Sequence, residues 1–264
     1  MRGVDYSLEG VRGELDKRGL FDVRLSFFDE VASTNLELKR LCTAADYEKP
    51  ILYVAKSQTA GKGRMGRSFL SPDAGVYMSL LLPTDSSGAI LTAHAAVMVA
   101  EAVEELSGAV TEIKWVNDIY ISGRKLAGIL CEGLIDIKTG ALGAAVVGIG
   151  INVLKTGFPK EISDIAVSLE EATGKRFSRA ELVARVTEKL IKELPQRTSR
   201  ELIEKYKYKS NVLGKRVLVT RGDESFFAKA VDINEKAELV VLSDTGESVR
   251  LNSGEVSVRT RFDN

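Results

Sequence analysis

Residues 56–67 of this 264-residue chain read Lys56-Ser57-Gln58-Thr59-Ala60-Gly61-Lys62-Gly63-Arg64-Met65-Gly66-Arg67, and no acid lies between Glu48 and Asp73. Glycines admit left-handed turns and close backbone approach, while Arg and Lys supply forked or point-charge donors to carboxylate and phosphate oxygens. Such a loop suits the holding of a small anion. Gly61-x-Gly63-x-x-Gly66 also spells G-x-G-x-x-G, and residues 61–68 nearly spell a Walker A loop with Arg67 in place of lysine. Both patterns require a strand before the loop and a helix after it. The strand reads at 51–55, but 71–75 reads as a turn and 76–82 as a second buried strand. A nucleotide-binding P-loop or Rossmann site is therefore disfavoured. A glycine loop between strands also occurs in protein kinases, yet no H-R-D or D-F-G string follows and the single histidine is His94.

The elements that would position this loop are mixed. Ser7 can cap a short helix carrying Leu8, Val11 and Leu15, and 23–28 looks extended. Thr34-x-x-Glu37 spells a capping box for a helix through about Thr43, which puts Ser33, Thr34 and Asn35 at a helix entrance where free N–H groups attract anions. An Ala-rich helix reads from 89 to 106 and stops at Gly108. Strands follow at 112–115, 118–121, 125–132 and 144–149, with a turn at 122–124. A second capping box, Ser178-x-x-Glu181, predicts a helix through Glu193, and another helix spans 199–208. Short alternating runs after Asn211 predict a small barrel of about fifty residues. The fold class expected is α+β, with a mixed or antiparallel sheet and flanking helices over 1–210 (a short helical extension at 1–22) and a small β-barrel over 211–264.

Composition limits the function. Lys plus Arg and Asp plus Glu are both 37, so net charge gives no reason to expect nucleic acid or an anionic membrane as the main partner. The 44% hydrophobic content supports a substantial core. Cys42 and Cys131 have no C-x-x-C spacing, the N-terminus lacks a signal-peptide core, and the longest apolar stretch is too short to span a bilayer. A reducing cytoplasm is the expected compartment, with buried, inert thiols.

Three further strings share the sheet region with the loop: Lys114-Trp115-Val116-Asn117-Asp118, Arg124-Lys125-Leu126-Ala127-Gly128-Ile129, and Gly148-Ile149-Gly150-Ile151-Asn152. Together with Ser33-Thr34-Asn35 and the loop, in this order, they resemble the biotin protein ligases, or biotin–[acetyl-CoA-carboxylase] ligases, over about residues 25–155 and more weakly through the terminal barrel. That resemblance implies a class II synthetase-like catalytic domain, an SH3-like C-terminal barrel, and a two-step reaction. Biotin and MgATP give biotinyl-5′-AMP and pyrophosphate, and a lysine of a biotin carboxyl carrier domain then takes the biotinyl group. A homodimer is a further family expectation.

By motif position, the resemblance implies that Gly61, Lys62, Gly63 and Arg64 contact biotin, with Arg64 also on the adenylate and Lys125 between carboxylate and α-phosphate. Ser33, Thr34, Asn35 and Gln58 match the polar wall around the ureido ring, and Gly128 permits close approach. Arg67, Lys114, Trp115, Asn117, Gly150 and Asn152 fall on the nucleotide side. Asp118 supports the lysine and is a candidate for Mg2+, although by itself it could simply anchor its hairpin. Lys125, Arg64 and Asp118 are thus the candidate catalytic residues. The charges suit the chemistry independently, because carboxylate and phosphate at ~4 Å repel by about 4 kcal/mol per charge pair at an effective dielectric near 20. Fixed cations must offset that repulsion.

Two positions depart from the family pattern. Lys62 stands where many members have arginine, and Val116 replaces a proline, which removes a fixed φ. Neither removes a catalytic charge. A lipoate or octanoyl ligase is the nearest alternative, since those families share the domain. Some biotin ligases also carry a DNA-binding N-terminal domain, but the 32 residues before Ser33 hold one clear helix and no recognition helix, so DNA binding is not expected.

Overall fold

A computed structural model of the chain describes residues 6–41, 49–84, 88–136, 139–221, 223–252 and the backbone of 256–260. Ser7 is extended and accepts the Gly10 N–H at 3.1 Å, which opens helix α1 (Leu8–Lys17) with Val11 and Leu15 buried. β1 (Arg24–Val31) runs parallel to β2 (Ile51–Gln58), and helix α2 (Thr34–Leu41) lies in the crossover between them. The sequence places a capping box on Thr34, but the helix begins at Thr34, with the Ser33 carbonyl accepting the Glu37 N–H at 3.0 Å. The Thr34 hydroxyl turns instead to Gln58 and Ser79, partners that lie far along the chain. The expected end of this helix at 42–43, with Cys42, lies outside the described residues.

β3 (Gly75–Pro83) is followed by α3 (Gly88–Ser107), β4 (Glu112–Lys114), β5 (Asp118–Ile121), β6 (Arg124–Ile135) and β7 (Leu142–Asn152). The seven-stranded sheet has the order β1-β2-β3-β7-β6-β5-β4, antiparallel beyond its first pair. α3 ends where Gly108 takes φ +72° and sends its N–H to Glu104 O at 2.8 Å. The β5–β6 hairpin turns through Ser122 (φ 51°) and Gly123 (φ 76°), two successive left-handed residues of the kind that match strand twist. α4 (Leu169–Thr173) is too short to show in the sequence pattern. The helix expected from Ser178 to Glu193 keeps α-geometry only as α5 (Arg179–Glu188), then widens into a π-turn at Lys189–Glu193, where the Lys189 ammonium meets Glu105 at 2.7 Å and Glu193 at 3.1 Å. α6 (Ser199–Lys209) carries a reciprocal capping box between Thr198 and Glu201.

β8 (Arg216–Arg221), β9 (Glu224–Ile233), β10 (Leu239–Ser243), β11 (Ser248–Leu251) and β12 (Val256–Thr260) form a second, antiparallel sheet in the order β11-β10-β9-β8-β12. The sequence predicts a barrel here. Among the described residues the ladder is not closed, because β11 pairs with β10 and β12 with β8 but not with each other.

One hydrophobic cluster runs through the inner face of the large sheet, α1, α3, α5, α6 and the second sheet, and a smaller one of Leu38, Ile51, Tyr53, Leu81, Ala144 and Val146 lies under α2. Period-two alternation sends Ile129, Cys131, Val147 and Ile149 toward the large cluster. It leaves Gly128, Leu130, Gly148 and Gly150 on the other face. In register Gly128 faces Gly150 and Leu130 faces Gly148, which makes a floor almost without side chains.

Candidate active site

A cleft of about 440 Å3 opens over this floor. Ser33, Thr34, Asn35, Gln58, Lys62, Gly63, Arg64, Arg67, Lys114, Trp115, Asn117, Asp118, Lys125, Gly128 and Gly150, all singled out in the sequence, line it. Gly61 and Asn152 do not. A Cβ on Gly61 would stand 2.5 Å from the Phe69 carbonyl and 2.6 Å from Ser71 Oγ, so this glycine serves the packing of its own loop. Asn152 sends its amide to the Val167 carbonyl at 3.3 Å, away from the cleft.

The glycine loop is a hydrogen-bonded excursion between β2 and β3. Gln58 N–H reaches Ser71 O at 3.0 Å, Phe69 N–H reaches Gly61 O at 2.9 Å, and Gly63 N–H reaches Arg67 O at 2.7 Å. Met65 (φ 55°) and Gly66 (φ 72°) turn its tip over a single 3-10 turn, so no helix follows the glycines. The loop carries Arg64 inward, where Nη1 donates to Asn117 Oδ1 at 3.2 Å while Asn117 donates to Ile129 O at 3.0 Å. Burial pulls the Arg64 guanidinium below its usual range, opposed by the charge of Asp118. It stays protonated all the same.

Across the cleft, Lys125 Nζ lies 2.8 Å from Asp118 Oδ1 and 5.7 Å from the centre of the Phe69 ring, within cation–π range. Lys125 is fixed at its backbone as well, with its N–H on Ile165 O at 2.7 Å and its carbonyl accepting from Val167 N–H at 2.9 Å. Behind this pair lies Tyr206 of α6, fully buried, whose hydroxyl burial and the Asp118 charge push well above the ordinary phenol range while Arg64 opposes them. Arg64 Nη2, Asp118 Oδ1 and the Tyr206 hydroxyl are buried and make no hydrogen bond among the described residues, although Asp118 keeps its ionic contact with Lys125.

The other end of the cleft is neutral and closed. Gln58 Oε1 accepts from Thr34 N–H at 2.9 Å and Thr34 Oγ1–H at 3.2 Å, while Gln58 Nε2 donates to Ser71 Oγ at 3.1 Å. Ser79 Oγ lies 2.7 Å from Thr34 Oγ1 and 2.5 Å from Asn35 Oδ1. A Cβ on Gly148 would overlap the Asn35 amide, so only glycine lets α2 approach β7 this closely.

Sequence reasoning missed residues that line the cleft, Phe69 and Gly148, and others buried behind it, Ser79 and Tyr206. Phe69 covers the floor, and a Cβ on Gly150 would stand 2.5 Å from its ring. Gly148 was recoverable, since it shares a strand face with Gly150 two residues away. Ser79 and Tyr206 gave no local signal. Trp115, read as a nucleotide-side residue, lines the cleft but is 4% exposed, and its indole N–H donates to Ala237 O of the second sheet's connecting turn at 3.0 Å. His94 packs in α3 with Nε2 3.1 Å from Ser199 Oγ; burial holds it neutral, down at about 4. Cys131 is desolvated and pushed up to about 12, which leaves it a thiol rather than a nucleophile.

Comparison with known proteins fits this geometry. The biotin/lipoate A/B protein ligase family matches residues 27–152, and the biotin protein ligase C-terminal domain matches residues 212–259. The biotin–[acetyl-CoA-carboxylase] ligase of Mycobacterium tuberculosis is 30% identical over 268 residues, covering 93% of this chain and 96% of that protein. The chain belongs to the biotin protein ligase family. Another member, the bifunctional ligase/repressor BirA of Bacillus subtilis, is 43% identical over 141 residues; the match spans 51% of this chain but only 43% of that relative's length. Among solved ligases, that of Aquifex aeolicus in complex with biotin and ATP superposes with a TM-score of 0.78 at 32% identity, covering 90% of this chain and 99% of that one.

Proposed function

We propose that this chain is an ATP-dependent biotin–protein ligase that makes biotinyl-5′-AMP and passes the biotinyl group to a lysine of a biotin carboxyl carrier domain. The observation that carries this reading is one cleft with two unlike ends: a neutral wall of Thr34, Asn35 and Gln58, backed by the buried Ser79, and a cationic end where Arg64 meets Asn117 and Lys125 meets Asp118. A cyclic urea with two N–H donors and a carbonyl suits the first. The second suits a carboxylate brought against a phosphate.

In the first step a carboxylate oxygen of biotin attacks the α-phosphorus and pyrophosphate leaves. Arg64 and Lys125 lower the repulsion between the two anions, and Asp118 holds Lys125 Nζ in place. In the second step the neutral amine of the acceptor lysine attacks the acyl carbon and AMP leaves. The loop carrying Lys62, Arg64 and Arg67 shields the mixed anhydride from water. Four methylenes of the biotin tail gain about 3 kcal/mol if fully buried, at ~0.8 kcal/mol each.

Mg2+ belongs to the reading as the partner of the nucleotide's phosphates. Among the described residues no group of three or more His, Cys, Asp or Glu could hold a metal, and Asp118 is the one carboxylate lining the cleft. Such a lining would suit an ion that takes most of its ligands from phosphate and water, and Asp118 is the residue that would hold it. No helix among the described residues is long and apolar enough to cross a membrane. A cytoplasmic, homodimeric ligase without sequence-specific DNA binding completes the proposal; light scattering and a gel shift test its last two parts.

Mass spectrometry of a biotin carboxyl carrier domain, incubated with the protein, MgATP and either biotin or lipoate, decides the substrate. A gain of one biotinyl group is expected. Incorporation of lipoate alone, or no pyrophosphate release with biotin, would overturn the reading.

A further inference from the structure

Glu132 lies outside the cleft, on the same face of β6 as Gly128 and Leu130 and two residues beyond Leu130. Its Oε2 accepts from Asn35 Nδ2 at 2.9 Å, and its Oε1 meets Lys39 Nζ at 2.6 Å. Asn35 Nδ2 also donates to Leu130 O at 3.3 Å. A carboxylate and a carbonyl can only accept, so together they fix which way the Asn35 amide points. Its Oδ1 must then face Ser79 Oγ at 2.5 Å, and the single Ser79 proton is committed there. With that proton used, the 2.7 Å contact between Ser79 Oγ and Thr34 Oγ1 has only the Thr34 proton left to fill it. From the opposite side, Thr34 N–H and Ser71 fix the orientation of the Gln58 amide. The Thr34 proton lies between two acceptors, Ser79 Oγ and Gln58 Oε1, which leaves lone pairs on Thr34 Oγ1 and Gln58 Oε1 for an incoming N–H donor.

We propose that Glu132 is a positioning residue: through Asn35 and Ser79 it sets the neutral end of the cleft as an acceptor surface that selects the N–H groups of a cyclic urea. This rests on the biotin reading above. Glu132 touches no substrate; it acts by denying Asn35 its flipped orientation. A glutamine in its place can offer either oxygen or NH2, so only the longer bond to Leu130 O still opposes a turn of the Asn35 amide and the hydrogen-bond chain loses its firm direction.

The test compares wild type with Glu132→Gln in pyrophosphate release, using biotin and an analogue in which one ureido N–H is replaced by oxygen. For the variant, the KM for biotin rises about tenfold, as loss of a charge-assisted orienting bond warrants. KM for ATP and kcat at saturating biotin stay within about twofold. The preference for biotin over the analogue shrinks by a similar factor, which a loss of fold would not produce. Lys39→Met weakens the hold on Glu132 but leaves its bond to Asn35, and raises the biotin KM about two- to threefold; it supplies the answer should Glu132→Gln fail to fold. Unchanged biotin KM and unchanged analogue preference would overturn the proposal, as would an equal rise in the KM for ATP. Absence of pyrophosphate release by the wild type would instead sink the ligase reading itself.

Discussion

The two ends of the cleft satisfy their polar groups in opposite ways. At the neutral end Thr34, Asn35, Gln58, Ser71 and Ser79 bond to one another in a continuous chain. At the cationic end, among the described residues, Arg64 Nη2 and the Tyr206 hydroxyl are buried without a hydrogen bond, and Asp118 Oδ1 has only its ionic contact with Lys125. The closed chain gives fixed directions and so discriminates between ligands. The incompletely bonded end holds charge that binds strongly when an anion arrives, and binding energy kept for the reacting groups favours rate over affinity.

Perturbing the cationic end gives the largest effect. Lys125→Ala lowers the rate of biotinyl-AMP formation by at least about 10³-fold, roughly 4 kcal/mol of barrier, with little change in biotin affinity measured without ATP. Arg64→Ala lowers that rate by about 10²-fold and, by opening the loop, releases adenylate to solution; quench analysis of free biotinyl-AMP checks both parts. At the neutral end, Gly148→Ala pushes Asn35 away from the floor and raises the biotin KM at least about tenfold while the KM for ATP holds. Should Lys125→Ala and Gly148→Ala change the same kinetic parameter, the two ends would not divide the work. The smallest effect is that of Tyr206→Phe, which removes a buried hydroxyl that has no partner and therefore leaves thermal stability equal or raised by about 1 kcal/mol. A loss of more than that would mean the hydroxyl is bonded after all.

How much of this was legible in the sequence depended on distance along the chain. The glycine loop, the β5–β6 hairpin and the cap on α1 are local, since their partners lie within a few residues, and the residue types alone announced them. The assembly of Arg64, Asp118 and Lys125 beside Thr34 was legible only because several motifs stood in a known order. The box expected at Thr34 failed because its hydroxyl had better partners at Gln58 and Ser79, 24 and 45 residues away. Glu132 contacts Asn35 across 97 residues, and nothing near it in the sequence marks it as other than a surface acid. Asn152 was placed in the site by its motif, yet its amide is taken by Val167 at the end of the strand.

Trp115 is the only tryptophan in the chain, and it is held at both sides: its ring borders the cleft and its N–H rests on the carbonyl of Ala237. The protein thus carries its single tryptophan fluorophore at the seam of its two sheets. Light emitted from that seam is expected to report a loosening of the second sheet from the first, without any label attached.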